Sequence, residues 1–314
     1  MRESKRIAVV GGGAIGSLYA AHLARAGDEV WVFTRRPEHA RALNADGLRV
    51  TGTHEFHARL RATCDPAELP ECAFGIVATK ALQTEEAFAP VGRKFDRGAV
   101  LSAQNGLGSE EILARLTRGY IIRGTTFMSG TRHSDTQVQY ELDTPTWMGP
   151  FEPTGTPLAL VEELASRIVA GGLKAIALED ARPAQWSKLL FNSAVNGVSA
   201  LTGLPHSPHF ADRSRPSSLG HLLYEMLAEG KRVAAGLGVA LHDDPWEMNK
   251  IGAQTNHPTS MLHDVSRQQH TEVDFLAGAV AREAERAGIP APLHSAVCRL
   301  IRGKEHSWPG GGGH

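Results

Sequence analysis

From residue 6 to residue 178, short apolar runs bounded by turn residues alternate with stretches of helical period. The β-branched and aliphatic runs at 6–10, 29–33, 74–78, 99–102 and 121–127 predict strands. Helical segments between them imply right-handed βαβ crossovers and a mostly parallel sheet. After Thr131 the pattern shifts to polar alternation over 137–142, which predicts antiparallel strands at the sheet edge; a helix over 158–170 and a short strand near 175–178 follow. Past Arg182-Pro183 the β signal stops. Helical patterns take over at 186–201, 219–237, 261–269 and 273–287, the last closed by Gly288 and Pro290. The segments 203–216 and 242–260, rich in His, Pro, Asp and Ser, read as loops. The expectation is an α/β domain over 1–182, an all-helical domain over 183–306 and a flexible tail over 307–314.

The helix 186–201, WSKLLFNSAVNGVSAL, is apolar but for one polar stripe, Lys188, Asn192 and Asn196. At about 100° per residue, positions four apart share a face and drift by only about 40° per step. Buried against protein, that stripe would leave a charge and two amides short of partners, at several kcal/mol. Two readings accommodate it. Either a polar ligand meets the stripe, or the stripe is the solvent-facing edge of a core helix.

Composition narrows the field. The 314 residues are 42% hydrophobic and 21% charged, as in ordinary globular proteins, and suffice for two domains with real cores. Thirty-three Lys and Arg against 34 Asp and Glu leave a net charge of −1, which argues against nucleic-acid or acidic-membrane partners. No apolar run approaches the roughly 20 residues of a membrane span, and MRESKRIAVV lacks the apolar core of a signal peptide. Cys64, Cys72 and Cys298 have no metal-like spacing and read as reduced thiols of a cytoplasmic protein. The fifteen histidines show no zinc-helix pairing, so no metal is expected.

Gly11-Gly12-Gly13-Ala14-Ile15-Gly16 follows the first strand and opens a helix over 14–26, the pattern of a Rossmann-type doubly wound sheet. Its first glycine permits a tight turn, the second lets backbone approach a pyrophosphate, and the third packs helix on strand. Backbone N–H groups at the helix start then face the phosphates. The second strand ends Thr34-Arg35-Arg36, without the acid that usually holds a ribose 2′-hydroxyl. Two guanidiniums stand there instead. They suit a 2′-phosphate, favouring NADPH over NADH, or are solvated surface arginines. Lys80 and Asn105 follow the strands 74–78 and 99–102, at the strand ends where such sheets bind ligands; each is equally a turn former.

With these residues in place, the chain resembles the ketopantoate reductase family over nearly its whole length. The resemblance comprises the glycine loop, Arg35, Ala78-Thr79-Lys80, Gln104-Asn105-Gly106 and the helix bearing Lys188, Asn192 and Asn196. It ends with Ser260-Met261-Leu262-His263-Asp264-Val265 and Thr271-Glu272-Val273-Asp274-Phe275-Leu276, which are the specific blocks. The resemblance implies reduction of 2-dehydropantoate, a small 2-keto acid, to (R)-pantoate with NADPH as cofactor. It implies Lys188 and Glu272 as catalytic residues and Asn105, Asn192, Asn196 and Ser260 as the substrate pocket. For the cofactor it implies Gly11, Gly13, Ala14, Ile15, Gly16, Arg35, Lys80, Asn105 and Glu272. The chain departs from the family pattern at Ala277, where asparagine is common, and in the loop 242–257.

Hydride transfer to a ketone builds negative charge on oxygen, which a cationic proton donor relieves. Lys188 fits that task, since an apolar setting lowers a lysine's pKa. The two asparagines would orient the substrate, Ser260 would take its carboxylate, and Glu272 would accept from its hydroxyl and tune Lys188. By itself Glu272 is also a first-turn acid complementing a helix dipole. Rival readings are a relative acting on another 2-keto or hydroxy acid, and a non-catalytic NADP(H)-binding sensor. The long carboxy-terminal helices would allow a homodimer.

Overall fold

The structure, a computed structural model describing residues 3–308, packs as two compact units. One comprises the residues up to Gln104 together with Ser109–Ala181; the other comprises Asn105–Gly108 and the residues from Arg182 onward. The tetrapeptide Asn105–Gly108, which the sequence reading places in the first domain, packs with the helices of the second. Of the tail expected at 307–314, residues 309–314 lie outside the described residues.

The first unit contains β1 (Arg6–Val10), α1 (Ala14–Arg25), β2 (Glu29–Phe33), α2 (Pro37–Asp46), β3 (Leu48–Gly52), β4 (Phe56–Ala58), β5 (Arg61–Thr63) and β6 (Phe74–Val77). It continues with α3 (Thr84–Phe88), β7 (Ala99–Ser102), α4 (Ser109–Leu116), β8 (Tyr120–Thr126), β9 (Ser129–Ser134), β10 (Gln137–Leu142), β11 (Thr146–Pro150), α5 (Leu158–Ala170) and β12 (Ala175–Ala177). An eight-stranded sheet runs β12-β11-β8-β7-β6-β1-β2-β5, parallel from β5 to β8 and with β11 antiparallel to β8. Strand order reverses beside β1, which pairs with β2 on one side and β6 on the other. That is where doubly wound sheets open their ligand crevice.

Alternation along β1 divides the core. Ile7 and Val9 join one buried cluster with Leu18 and Tyr19 of α1, while Ala8 and Val10 join another with Phe88 and Phe95. Both faces of the sheet are covered, so its strands read as continuous apolar runs.

The polar alternation at 137–142 does not mark the main sheet's edge. β9 and β10 belong to a separate sheet, β4-β3-β10-β9, in which β10 runs parallel to β3. Val50, Val138 and Tyr140 are buried in the same cluster as Leu18 and Tyr19. The small sheet therefore covers the side of α1 that the main sheet leaves bare, and residues 16–23 of that helix are all buried. Tyr19 is sealed in with its hydroxyl 2.6 Å from the Thr146 hydroxyl, and burial pushes its phenol up to about 12.

The second unit contains α6 (Arg182–Thr202), α7 (Leu219–Gly236), α8 (Pro245–Gly252), α9 (Ser260–Ser266), α10 (Ala277–Arg286) and α11 (Pro292–His306). Three features depart from the sequence reading. The expected loop 242–260 holds α8, whose N-cap Asp244 accepts from the Trp246 N–H at 2.7 Å with Pro245 in the first turn. The expected helix 273–287 is broken: a single 3₁₀ turn at Val273–Phe275 ends at Leu276 (φ −108°, ψ −99°), and α10 starts afresh. Beyond Pro290 the chain forms α11, a helix that the sequence pattern does not predict. Ala277, the departure from the family pattern, is buried in the helical core.

Arg167 on α5 is buried, and its guanidinium pairs with the buried Asp28 carboxylate at 2.6 Å and with Glu163 at 2.8 Å. Arg167→Ala takes the buried guanidinium from the Asp28 carboxylate, which keeps the Lys5 N–H at 3.1 Å, so unfolding stability should fall by about 3–5 kcal/mol. Urea denaturation measures it; a loss below about 1 kcal/mol would mark the pair as no stronger than a surface one.

Candidate active site

In the first unit, the chain leaves β1 through Gly11, whose φ of +103° is strained for any residue with a Cβ. Its N–H donates to the Phe33 carbonyl at 3.0 Å, tying the ends of β1 and β2. A Cβ on Gly16 would stand 2.0 Å from the Gly11 carbonyl oxygen, so only glycine lets α1 approach the turn this closely. A Cβ on Gly13 would meet nothing within 4 Å. Gly13 is the N-cap of α1, which has no side-chain cap and no acid in its first turn. The helix start at Ala14 and Ile15 is thus open backbone N–H groups with a positive dipole end, a cradle for an anion.

A pocket of about 560 Å³ opens beside this turn, large enough for a cofactor-sized ligand. Its lining includes Gly11, Gly13, Arg35, Arg36, Lys80 and Arg132. Lys80 and Arg35, two of the residues singled out from the sequence, therefore meet at the glycine turn. Four basic side chains line it against a single carboxylate, Glu86. Three contributors escaped the sequence reading. Gln104 is buried, with its amide nitrogen 3.1 Å from the Thr79 carbonyl and 2.8 Å from the Thr84 hydroxyl, fixing Thr79 against Gly11. His39 is buried beneath Gly12, Nδ1 3.1 Å from the Thr34 hydroxyl, and burial pulls its imidazole below the usual range. Arg132 arrives on β9, whose partner strand β10 pairs with the distant β3. Only Gln104 had a local signal, its place in the Gln104-Asn105-Gly106 run.

In the second unit, Lys188 projects from α6 and its Nζ donates to Asn105 Oδ1 at 2.8 Å. Desolvation pulls the ammonium from 10.5 down to about 8, and the Glu272 carboxylate opposes that fall. Lys188, Asn105 and Glu272 are thus brought together. The loop that follows Asn105 is held by two hydrogen bonds. Gln185 Nε2 reaches the Gly106 carbonyl at 3.3 Å, and the Leu107 N–H donates to the Phe275 carbonyl at 3.0 Å. Gly106 has φ +88°, and a Cβ there would stand 2.1 Å from the Phe275 oxygen. The break at Leu276 is what presents that carbonyl. Glu272 is buried directly before the 3₁₀ turn; its own carbonyl receives the Phe275 and Leu276 N–H groups at 3.0 and 3.1 Å.

Asn192 is half-buried and Asn196 buried, one and two turns beyond Lys188. Neither amide hydrogen-bonds another described residue. Ser260 is exposed at the first position of α9, capped by Thr259, whose hydroxyl accepts from the Leu262 N–H at 3.2 Å. Opposite the stripe, α6 buries Leu189, Leu190, Ala194 and Val198 in the helical core.

A second polar constellation anchors the same helix. Ser193 Oγ lies 3.1 Å from His294 Nε2, and His294 Nδ1 lies 2.8 Å from Glu229 Oε1. Glu229 also accepts the Leu293 and His294 N–H groups at 3.0 and 2.9 Å. Burial raises the Glu229 carboxyl, but these donors outweigh it and hold it below its usual range. The residue types are those of an acyl-transfer triad, yet Ser193, His294 and Glu229 are 1%, 0% and 1% exposed. No substrate reaches them, and the trio serves to clamp α6 to α7 and α11.

Sequence models of ketopantoate reductase PanE/ApbA match residues 7–153 and, for the C-terminal part, 180–305. A 2-dehydropantoate 2-reductase of Archaeoglobus fulgidus is 30% identical over 96% of this chain and 98% of its own. The crystal structure of a PanE/ApbA family ketopantoate reductase from Ralstonia eutropha superposes with a TM-score of 0.83 at 25% identity, covering 96% of this chain and 98% of that one. D-mandelate dehydrogenase in its ternary structure with NADH and anilino(oxo)acetate has the same fold, with a TM-score of 0.85 at 22% identity over 96% of this chain and 99% of that one.

Glu272→Gln removes the charge that sustains the Lys188 ammonium, so Lys188 should titrate below about 8. Heteronuclear NMR of the lysine side chain against pH checks this; an unchanged or higher midpoint would remove Glu272 from the electrostatics of the site.

Proposed function

Because the chain belongs to the ketopantoate reductase family, a family of oxidoreductases, we propose that it reduces 2-dehydropantoate to pantoate with NADPH. The observation that carries the reading is the ammonium of Lys188, lowered to about 8 yet held at 2.8 Å by a fixed amide oxygen. A lysine so placed is charged near neutrality and gives up its proton readily, as a general acid should.

The first unit's residues fit a dinucleotide. The open N-terminus of α1 faces a pyrophosphate with backbone N–H groups, the bare Gly13 leaves room for it, and the cationic pocket suits further phosphate. When bound, the nicotinamide supplies the hydride. The remaining work falls to this chain's side chains. Lys188 stabilises the negative charge developing on the ketone oxygen and transfers its Nζ proton there, completing the alcohol. Asn192 and Asn196, whose amides make no hydrogen bond among the described residues, orient the substrate without altering its charge. Ser260, exposed at a helix start, receives the carboxylate. Glu272 accepts from the substrate hydroxyl and keeps Lys188 from losing its proton prematurely. Asn105 holds the ammonium in line, and Arg35 reads the 2′-phosphate.

Two measurements test this. Lys188→Ala should lower kcat for 2-dehydropantoate by roughly 10²–10⁴ while leaving NADPH affinity nearly intact. In the unaltered protein the reduction rate should fall as pH rises through about 8, where Lys188 loses the proton it must donate. A change under about threefold in the variant, or a rate that climbs through that pH, removes Lys188 as the acid. Arg35→Ala should raise the KM for NADPH and leave NADH almost untouched; equal effects on both would show that Arg35 does not read the 2′-phosphate.

A further inference from the structure

The hairpin of β9 and β10 brings Arg132 to the lining of the cationic pocket and an acid beside it. Asp135 sits at the hairpin's turn, and its Oδ1 accepts from both the Arg36 guanidinium and, at 3.0 Å, Arg132 Nη1. Arg36 also pairs with Glu38 at 3.3 Å. Arg35, in contrast, is exposed and makes no ion pair with any described residue. The turn is built rather than dangling: the Thr136 carbonyl accepts the Arg49 N–H at 2.8 Å, and the Ser134 hydroxyl accepts the Thr136 N–H at 3.2 Å. Beside it, the His39 side chain lines the pocket at 2% exposure, with Nε2 lacking a hydrogen-bond partner among the described residues.

Two guanidiniums converging on one oxygen form the receptor that a phosphate monoester prefers. Here a carboxylate of the protein fills it, and both arginines line the pocket beside the glycine turn. We propose that Asp135 is an internal counter-anion standing in for a nucleotide's 2′-phosphate, and that Arg36 and Arg132 exchange its carboxylate for the phosphate when an NADP-type cofactor binds. The inference rests on the nicotinamide-nucleotide reading above and adds Arg132, Arg36 and Asp135 to it as residues that set cofactor preference. A phosphate carrying nearly two negative charges outcompetes one carboxylate, but the observed affinity is only the difference between the two. Without a 2′-phosphate the arginines stay paired, so NAD+ does not meet an uncompensated cluster.

The test is calorimetric titration of NADP+ and NAD+ into the whole protein, with no turnover required. Asp135→Asn releases the partly exposed Arg132 and leaves Arg36 with Glu38 at 3.3 Å, so NADP+ should bind about threefold to tenfold more tightly, with NAD+ within about twofold of the parent. Arg132→Ala should weaken NADP+ by a similar factor and again spare NAD+. Thermal melts confirm that each variant is folded; should Asp135→Asn fail to fold, the Arg132→Ala comparison decides alone. NADP+ affinity unchanged or weaker in Asp135→Asn, or equal losses for both nucleotides in Arg132→Ala, would overturn the proposal and leave Asp135 a staple of the hairpin. If the parent binds NADP+ no better than NAD+ and Asp135→Asn creates a preference, Asp135 is the restraint proposed. If the parent prefers NADP+ through Arg35 and neither variant changes the ratio, this inference alone fails and the cofactor reading stands.

Discussion

A single ammonium, half-sequestered in an apolar helix, governs the design of the second unit. Taking a lysine out of water costs several kcal/mol unless something takes over from the water. Here one amide oxygen at 2.8 Å and one buried carboxylate take over in part, which leaves Lys188 charged but with a loosened proton. Fuller compensation would have returned it to an ordinary lysine, and none would have discharged it. The rest of the helical unit holds that intermediate state. The broken helix at Leu276 presents the carbonyl on which the Asn105 loop rests, and the trio of Ser193, His294 and Glu229 keeps α6 from turning.

The first unit solves a different problem with the same economy. Backbone, not side chains, supplies the anion-facing groups at the glycine turn, so Gly11 and Gly16 are required by closeness to Thr79 and to each other. Side-chain charge is added around that turn as a surplus of arginine and lysine. A surplus of this kind is self-repelling, and Asp135 and Glu38 temper it within the unit itself.

Much of this was legible in the chain because the signals are local. A glycine turn after an aliphatic strand, and a stripe of Lys188, Asn192 and Asn196 at spacings of four, need no knowledge of distant partners. What was hidden depends on pairing across the sequence. Nothing in Gln137-Val138-Gln139-Tyr140 reveals that β10 lies beside β3, more than eighty residues earlier, and Arg132 and Asp135 reach the pocket through that pairing. The strands β4 and β5, three residues each, are too short to show a period. Helix α8 did carry a readable signal, Asp244 before Pro245, but the polar composition around it masked the pattern. The break at Leu276 had none, because the residues on both sides keep a helical period.

The four residues Asn105–Gly108 belong by sequence to one half and by packing to the other. A gene fragment starting at Arg182 would encode the helices α6 to α11 yet lack the tetrapeptide, taking the Leu107 N–H from the Phe275 carbonyl and the Asn105 oxygen from the Lys188 ammonium. Recombination among relatives is constrained in the same way. A crossover at the apparent junction pairs one parent's lysine with the other parent's loop, so the loop and the carboxy-terminal half are expected to be inherited as one unit, separated in the gene by the Ser109–Ala181 stretch that codes for neither.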